Sequence, residues 1–436
     1  MHFPNPIPVL EEGIFVRSVY EHGLNAAFAA LEAPVRGRYW RLNTYVYFTV
    51  TPLAASPEEL QDLGRRSEQN LQAAAVRLEE TWNSEFLPEI QRYVAEWEAF
   101  DLGAAPMPQL LAHLDRTIAR TERLWAVHFL TILPAYVAVS QFDELYRDLL
   151  GNETPFDAYR LLEGFDNKAL EGDRALWELG RQARASPAVR EALEQDDAEA
   201  ALRALERSAE GRSFRAALRS FLQKYGYRRN SLALGDASWI EDPTPVIRSL
   251  QQYMRQSDRD AAAELAERAR GREQRVAEAR QKLAGYPRPV VEQFESLLKA
   301  AQVGNVLSED HNYWIDYRSM YEVPRVALEF GRRLAEAGVI AEAGDVWHLT
   351  VEELRETARE LPRLDRRGLA AERKAEMERS RRAAPPPVLG TVPDGGPVPD
   401  PVARAMLKFF GPPPEAAAEP NVLRGNAGSP GKARGR

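Results

Sequence analysis

Apolar residues recur at helical spacing along most of this chain, and the clearest pattern covers residues 309–337. Ser308 is predicted to cap the start of a helix there, with acidic residues in the first turn. Gly338 is predicted to end the helix in a left-handed conformation. Pro324 should kink it, because proline removes a backbone donor and crowds the preceding turn. The predicted apolar face consists of Met320, Val323, Ala327, Phe330 and Leu334.

Polar residues interrupt this helical pattern. Asp316 projects from the middle of the apolar face, and Glu309 and Asn312 lie on the same side. The opposite stripe holds His311, Arg318, Glu322, Arg325 and Glu329. Carboxylates are rarely buried unless they are paired or used in function. The cluster therefore indicates either a polar pocket or an internal salt bridge, and both interpretations stay open.

A long amphipathic helix is predicted from Pro57 to Trp97, with a kink expected at Pro88. Ser56 and Glu59 have the spacing of a capping box at its start. Its tryptophans are interpreted as core residues, because aromatic stripes at helical spacing mostly bury area.

A pair of helices is expected from Gln109 to Leu150. The most apolar run, from Trp125 to Val139, is interrupted by His128 and Pro134 and falls short of the ~20 residues needed to span a bilayer. We therefore predict a buried core helix, with His128 as a satisfied core residue.

The stretch from Arg38 to Thr51 alternates between apolar and polar residues, which predicts a half-buried strand. Two helices joined near Gly164 are expected from Thr154 to Ala183. The fold class is thus mainly α, a multi-helix body with a small β element.

A further predicted helix ends near Tyr225, and Arg228 follows in the next loop. Its guanidinium group suits a phosphate or a carboxylate ligand. The alternative is a salt bridge to Glu241 or Asp242 that clamps the loop.

Composition changes sharply near residue 382. Residues 383–420 are rich in proline and glycine and predict a tether without a compact fold. One short apolar segment, from Val402 to Phe410, is expected to dock as one or two helical turns. The predicted organisation is a helical body over residues 1–382, a linker over 383–420 and the start of another domain over 421–436.

Charge and composition limit the function classes. A net charge of −8 argues against a nucleic-acid partner, although the last residues are basic. The absence of cysteine excludes disulfides and thiolate chemistry and is compatible with a cytoplasmic protein. The first residues lack the pattern of a secretory signal, so we expect no membrane anchor.

Three stretches carry a resemblance to a known family. They are SEDHNYWIDYRSMYEVPRVALEFGRRLAEAGVIAEAGDVWHLTVEEL, FLQKYGYRRNSLALGDASWIEDPTPVI and the terminal LRGNAGSPGKARGR. They resemble the helical, substrate-side segment of phosphoenolpyruvate synthase and pyruvate phosphate dikinase relatives, a group that includes rifampicin phosphotransferase and phenylphosphate synthase. The terminal stretch resembles the entry strand of the family's swivelling phosphohistidine domain.

The resemblance implies a mechanism in which ATP phosphorylates a mobile histidine, which then passes the phosphoryl group to an acceptor. None of the six histidines lies in the family's glycine-rich motif ending in Ser-His, and no nucleotide-grasping domain is recognisable. The chain is therefore expected to be one component that is not self-sufficient for catalysis. No cofactor is expected on this chain, whereas ATP and Mg²⁺ are expected on partner domains. The expected partners are a phosphohistidine domain and an ATP-grasp domain, in cis or in trans, and a small-molecule acceptor.

The resemblance also implies roles for the polar residues. Arg228 and Arg318 would balance phosphoryl charge, and Asp316 or His311 would orient or deprotonate an acceptor hydroxyl. Glu309 and Asn312 would complete a substrate-binding wall. The family pattern also places Asn167 and Lys168 near the substrate, whereas the pattern of the residues themselves favours a helix N-cap there. The alternatives for the whole chain are a non-catalytic helical scaffold and a stand-alone ligand-binding protein.

Overall fold

The computed structural model describes residues 5–151, 153–195, 197–255, 261–383, 385–386, 388–390 and 401–410. The start of a further domain predicted at 421–436 lies outside these residues. Within them the fold is mainly α, as predicted, with one antiparallel hairpin. The α-helices are α1 (Val9–Glu11), α2 (Asn25–Ala30), α3 (Pro57–Thr81), α4 (Leu87–Glu98), α5 (Met107–Leu150), α6 (Lys168–Ala185), α7 (Pro187–Leu193), α8 (Ala198–Leu205), α9 (Ala209–Tyr225), α10 (Thr244–Arg255), α11 (Ala261–Lys282), α12 (Arg288–His311), α13 (Tyr317–Glu336), α14 (Val351–Arg359), α15 (Arg367–Arg381) and α16 (Pro401–Phe410).

Three π-helical segments and two 3₁₀ turns complete the helical structure of the described residues. The π segments are Glu12–Leu24, Trp82–Phe86 and Asn312–Asp316, and the 3₁₀ turns are Tyr159–Leu161 and Ala343–His348. The strands are β1 (Val35–Leu42) and β2 (Tyr45–Pro52). All three π segments connect consecutive α-helices without a break, and the last of them, Asn312–Asp316, lies at the candidate site.

Helix α5 is the centre of the body. It packs against α3, α12, α13, α16 and the π segment Glu12–Leu24. The prediction of two helices over residues 109–150 is wrong, because a single helix of 44 residues passes through Pro134. Pro134 removes one backbone hydrogen bond, and burial of its neighbours Leu133 and Ala135 offsets that loss. The helix is long and apolar enough to cross a membrane, but 78% of its most apolar window is buried inside the protein, as in a core helix.

The helix expected to begin at Ser308 begins instead at Arg288, so Ser308 is not a cap. The Ser308 hydroxyl donates to the Asn305 carbonyl oxygen within α12. Glycine at position 338 does adopt the predicted left-handed conformation, with φ of 71°. All five residues of the predicted apolar face are buried.

The predicted strand over Arg38–Thr51 is a hairpin. Asn43 and Thr44 both have positive φ, 47° and 72°, and turn the chain between β1 and β2. Two-residue hairpin turns require positive φ, and asparagine tolerates it. The turn therefore divides the alternating apolar and polar pattern, which predicted a single strand, into two strands. The hydroxyl groups of Tyr45 and Tyr47 on β2 donate to carbonyl oxygens of Ala383 and Pro386, where the chain leaves α15.

Other predicted elements differ in detail. The helix predicted from Pro57 to Trp97 is present, and the Ser56 hydroxyl accepts a hydrogen bond from the Glu59 backbone. The two helices expected near Gly164 are a 3₁₀ turn and α6, with Gly164 in the loop at φ of 74°.

Helices α6 to α10 share a hydrophobic core of their own, separate from the core around α5. The candidate site lies where α6 and α9 meet the end of α12.

Candidate functional site

Two histidines and one aspartate form a buried group, which we call the histidine cluster: His128, His311 and Asp316. His128 projects from the middle of α5, His311 is the last residue of α12, and Asp316 ends the π segment. Their exposed fractions are 7%, 3% and 8%. In a regular α-helix, residues five apart point in directions about 140° apart. In the π segment, residue i forms a backbone hydrogen bond with residue i+5. This pattern places the side chain of Asp316 on the same face of the helix as that of His311.

Hydrogen bonds fix the orientation of both rings. His128 Nδ1 lies 2.8 Å from Asp316 Oδ1, and His311 Nδ1 lies 2.8 Å from the carbonyl oxygen of Leu307. Because a carbonyl oxygen only accepts, His311 carries its proton on Nδ1 and presents a lone pair at Nε2. The two ring centroids are 4.6 Å apart at an angle of 72°.

The cluster is shielded from water. Trp125 and Phe129 pack on the His128 ring, with centroid distances of 4.4 and 4.7 Å. Burial lowers the pKa of His311 to about 4; His128 acts in the same direction and Asp316 opposes it. His311 is therefore neutral at physiological pH. Of the two interpretations of Asp316, the structure shows an internal pair, and its partner is His128.

A separate cleft opens beside the cluster. We call it the acceptor cleft. It lies between α6, α9, the loop after α9, and the junction of α12 with α13. Five aromatic side chains, two cations and two carboxylates are among its lining residues, which are Lys168, Ala169, Gly172, Asp173, Leu176, Phe221, Tyr225, Arg228, Trp239, Glu309, Tyr313 and Tyr317. Such a surface suits a ring-containing ligand with polar substituents.

Arg228 and Glu309 are the predicted residues that meet in the acceptor cleft. The Arg228 guanidinium lies 5.1 Å from the centre of the Trp239 ring and is exposed. The prediction that Arg228 forms a salt bridge with Glu241 or Asp242 is wrong. The neighbouring Arg229 is buried and lies 3.6 Å from Glu241, because the loop turns its side chain inward.

Glu309 lies at the rim of the cleft, partly open to solvent. Partial burial raises its pKa, Arg228 opposes that rise, and Asp310 and Asp173 add to it. Lys168 stands on the other side, at the first turn of α6, where Asn167 caps the helix by accepting from the Leu170 backbone. The N-cap interpretation of Asn167 is thus confirmed.

Arg318 and Asn312 do not reach the acceptor cleft. Arg318 is buried, its Nη2 lies 2.5 Å from Glu98 Oε1, and its guanidinium is 3.9 Å from the centre of the Tyr227 ring. It lines a wider groove on the other side of Tyr313. Asn312 donates to the carbonyl oxygen of Ser308 within its own helix. The predicted polar wall is therefore divided among the cluster, the cleft and the Arg318 groove.

Sequence reasoning missed His128 as a site residue and did not select Tyr313 or Tyr317. The signal for the tyrosines was their place beside Asn312 and Asp316 in the run NYWIDY. No local signal marks His128, since its partner Asp316 lies 188 positions away.

The fold and site define a helical domain that pairs an aromatic cleft with a buried histidine cluster. Residues 128–309 match the family model of the rifampicin phosphotransferase fourth domain. The match begins at His128 and includes Arg228 and Glu309. Part of the chain is therefore similar to a helical domain of a phosphotransferase family, and this similarity confirms the resemblance.

Two curated relatives extend this result. The chain is 37% identical over 428 residues to a chondramide synthase, cmdD, of Chondromyces crocatus, which covers 95% of this chain and 11% of that protein. It is 27% identical over 237 residues to an uncharacterized phosphotransferase, YvkC, of Bacillus subtilis (strain 168), which covers 52% of this chain and 27% of that protein. The chain therefore spans only a small part of either relative.

Proposed function

We propose that this helical domain binds the small-molecule acceptor of a dikinase-type phosphotransferase. The acceptor cleft carries the proposal, because it places Arg228, Lys168 and Glu309 around an aromatic wall. The family match and the phosphotransferase relative support this class of reaction. The phosphohistidine and ATP-grasp domains, with ATP and Mg²⁺, would act from the same polypeptide or from a separate one. Because the phosphoryl donor derives from ATP, we place the activity in the cytoplasm.

The chemistry assigns distinct tasks to the lining residues. Transfer breaks the N–P bond of the phosphohistidine and forms an O–P bond at an acceptor hydroxyl, whose proton must leave. Arg228 and Lys168 would offset the charge of the incoming phosphoryl group. Glu309 has a raised pKa and stands on the opposite rim, where it would accept the hydroxyl proton. The aromatic side chains favour an acceptor that is a hydroxylated ring compound.

The predicted role of Asp316 or His311 in deprotonating the acceptor stays a prediction. Both are buried and lie outside the residues that line the cleft.

The test is ligand binding by the full chain, measured by saturation-transfer NMR with phenol as the probe and benzene for comparison. Phenol should bind more tightly than benzene, and Arg228→Ala or Glu309→Gln should weaken phenol binding about tenfold, or about 1.4 kcal/mol. Arg219→Ala is the matched control, because Arg219 is an exposed arginine of α9 that does not line the cleft.

Equal binding of phenol by wild type and Arg228→Ala would contradict the cleft assignment. Failure of phenol and of larger hydroxylated rings to bind at all would favour a scaffold. Phosphoryl transfer is then tested by supplying phosphohistidine and ATP-grasp domains of a relative in trans. Transfer to the bound ring compound should depend on Arg228 and not on Arg219.

A further inference from the structure

The histidine cluster contains the donor set of a metal site. One nitrogen from each of His128 and His311 and one oxygen of Asp316 lie within 4.8 Å of one another, and all three residues are buried. These are the donors that zinc and neighbouring first-row ions accept, whereas Mg²⁺ and Ca²⁺ prefer oxygen ligands. We propose that the histidine cluster binds one divalent transition-metal ion of the Zn²⁺ class. The proposal does not rest on the acceptor cleft, since the two sites share no residue.

The distances agree with a shared ion. His128 Nδ1 and Asp316 Oδ1 are 2.8 Å apart. Zinc bonds to nitrogen and oxygen are about 2.0–2.2 Å long, so adjacent ligand atoms of a tetrahedral site lie about 3.4 Å apart. The two side chains would therefore separate by a few tenths of an ångström to admit the ion. An ion would take the place of the proton between these two atoms, and the His128 ring proton would move to Nε2.

The third ligand is already oriented. His311 donates its Nδ1 proton to the Leu307 carbonyl at 2.8 Å, which leaves Nε2 free of a proton. Metal-binding histidines are commonly held by such a bond from the other ring nitrogen to a carbonyl oxygen. Two neutral imidazoles and one carboxylate give the ligand set a single negative charge, which suits a divalent cation. Three protein ligands leave a fourth position for a water molecule or another oxygen ligand.

The ion would join two parts of the body. His128 belongs to the central helix α5, whereas His311 and Asp316 flank the π segment between α12 and α13. Trp125 and Phe129 keep water from His128, so a bound ion would be shielded on that side. Occupation of the site should therefore stabilise the fold.

The experiment titrates the full chain, stripped of metal, with Co²⁺ and follows the visible absorption of the ion. Wild type should bind one equivalent, and its thermal midpoint should rise with Co²⁺ or Zn²⁺ and not with Mg²⁺. His311→Gln and His128→Gln should weaken binding by about a hundredfold or more. His113→Gln is the matched control, because His113 is also buried on α5 but stacks on Phe100, with ring centroids 3.7 Å apart.

The outcome does not depend on whether the variants fold. In wild-type protein with labelled histidines, Co²⁺ should shift the ring resonances of His128 and His311 among the six histidines. Wild type that takes up no stoichiometric ion would overturn the proposal. Uptake that shifts other histidines, or that persists unchanged in folded His311→Gln, would overturn it as well.

Discussion

Two carboxylates secure opposite walls of the acceptor cleft, and their surroundings shift their pKa values in opposite directions. Glu11 lies at the end of α1 and is almost fully buried. Its Oε1 accepts a hydrogen bond of 3.1 Å from the backbone of Leu234, in the loop that also carries Arg228 and Trp239. Burial raises the pKa of Glu11 to about 7; the Leu234 bond and Arg229 oppose this rise, and Asp236 adds to it.

Glu171, on α6, has a lowered pKa, in contrast to Glu11. Desolvation raises its pKa, but hydrogen bonds from Lys168, Lys224 and Tyr225 together lower it to about 2. The donors lie 2.6, 2.6 and 2.7 Å from its oxygens. Lys168 and Tyr225 line the cleft, so Glu171 holds two of the cleft's side chains in place.

The comparison shows what decides whether a carboxylate that loses water on folding stabilises the fold. One backbone donor does not offset the loss of water around Glu11, whereas two ammonium groups and a hydroxyl more than offset it at Glu171. The loop wall is thus held by a carboxyl group that favours its neutral form, and the helix wall by an ionised one. The two walls should respond to pH in opposite directions.

The largest expected effect is that of Glu11→Gln on the pH dependence of unfolding. The pKa of Glu11 in the folded state is above its ordinary value of 4.5, so its stabilising contribution is complete below pH 4.5 and is lost as pH rises through 7. This loss amounts to at most about 3 kcal/mol. Glutamine keeps an acceptor for Leu234 and cannot ionise, so Glu11→Gln should be more stable than wild type at pH 8 and similar at pH 4.5.

Urea unfolding across this pH range measures the effect. Glu58→Gln is the control, since Glu58 is an exposed glutamate in the first turn of α3. A wild-type protein and a Glu11→Gln variant with parallel stability curves between pH 5 and 8 would contradict the assigned role of Glu11.

Sequence patterns anticipated the parts of this fold that depend on local spacing. The apolar face of α13, the cap at Ser56 and the turn at Gly338 were all predicted, because each depends on neighbours within one or two helical turns. The π segment at Asn312–Asp316 escaped prediction, since its extra residue changes the side on which later residues fall. Sequence analysis therefore assigned His311 and Asp316 to opposite faces, and the structure brings them together.

The site was only partly predictable for a second reason. Pairs such as His128 with Asp316, or Glu11 with Leu234, join residues that are 188 and 223 positions apart, and no local pattern identifies such partners. The choice between Arg228 and Arg229 depends on the path of one loop. Chemistry-bearing residues were recognised by type, whereas their grouping required the packing of α5 against α12.

A smaller and opposite effect is expected from Glu171→Gln. Its pKa in the folded state is below the ordinary value, so its contribution is present above pH 4.5 and lost as pH falls toward 2. Part of the side chain is exposed, and solvent screening reduces the loss at pH 7 to about 1–2 kcal/mol. Glu178→Gln, on the same helix, removes an exposed pair with Arg181 and a weak hydrogen bond from Gln182, and should cost less than about 0.5 kcal/mol.

Chemical unfolding at pH 7 and pH 3 distinguishes the two glutamates of α6. The difference in the free energy of unfolding between wild type and Glu171→Gln should be smaller at the lower pH. If Glu171→Gln and Glu178→Gln cost the same at pH 7, the three donors around Glu171 do not act as a stabilising group.

The smallest effect tests whether Asn167 serves the helix or the ligand. Its side chain accepts from the Leu170 backbone, and Asn167 does not line the acceptor cleft. Asn167→Ala should cost about 1 kcal/mol, because the start of α6 loses its cap, and Asn167→Ser should restore most of it. Under conditions where each variant is fully folded, phenol affinity should be the same in both. If Asn167→Ser recovers stability but loses phenol binding, Asn167 contacts the acceptor, as the family pattern implies, and the helix wall of the cleft extends beyond Lys168.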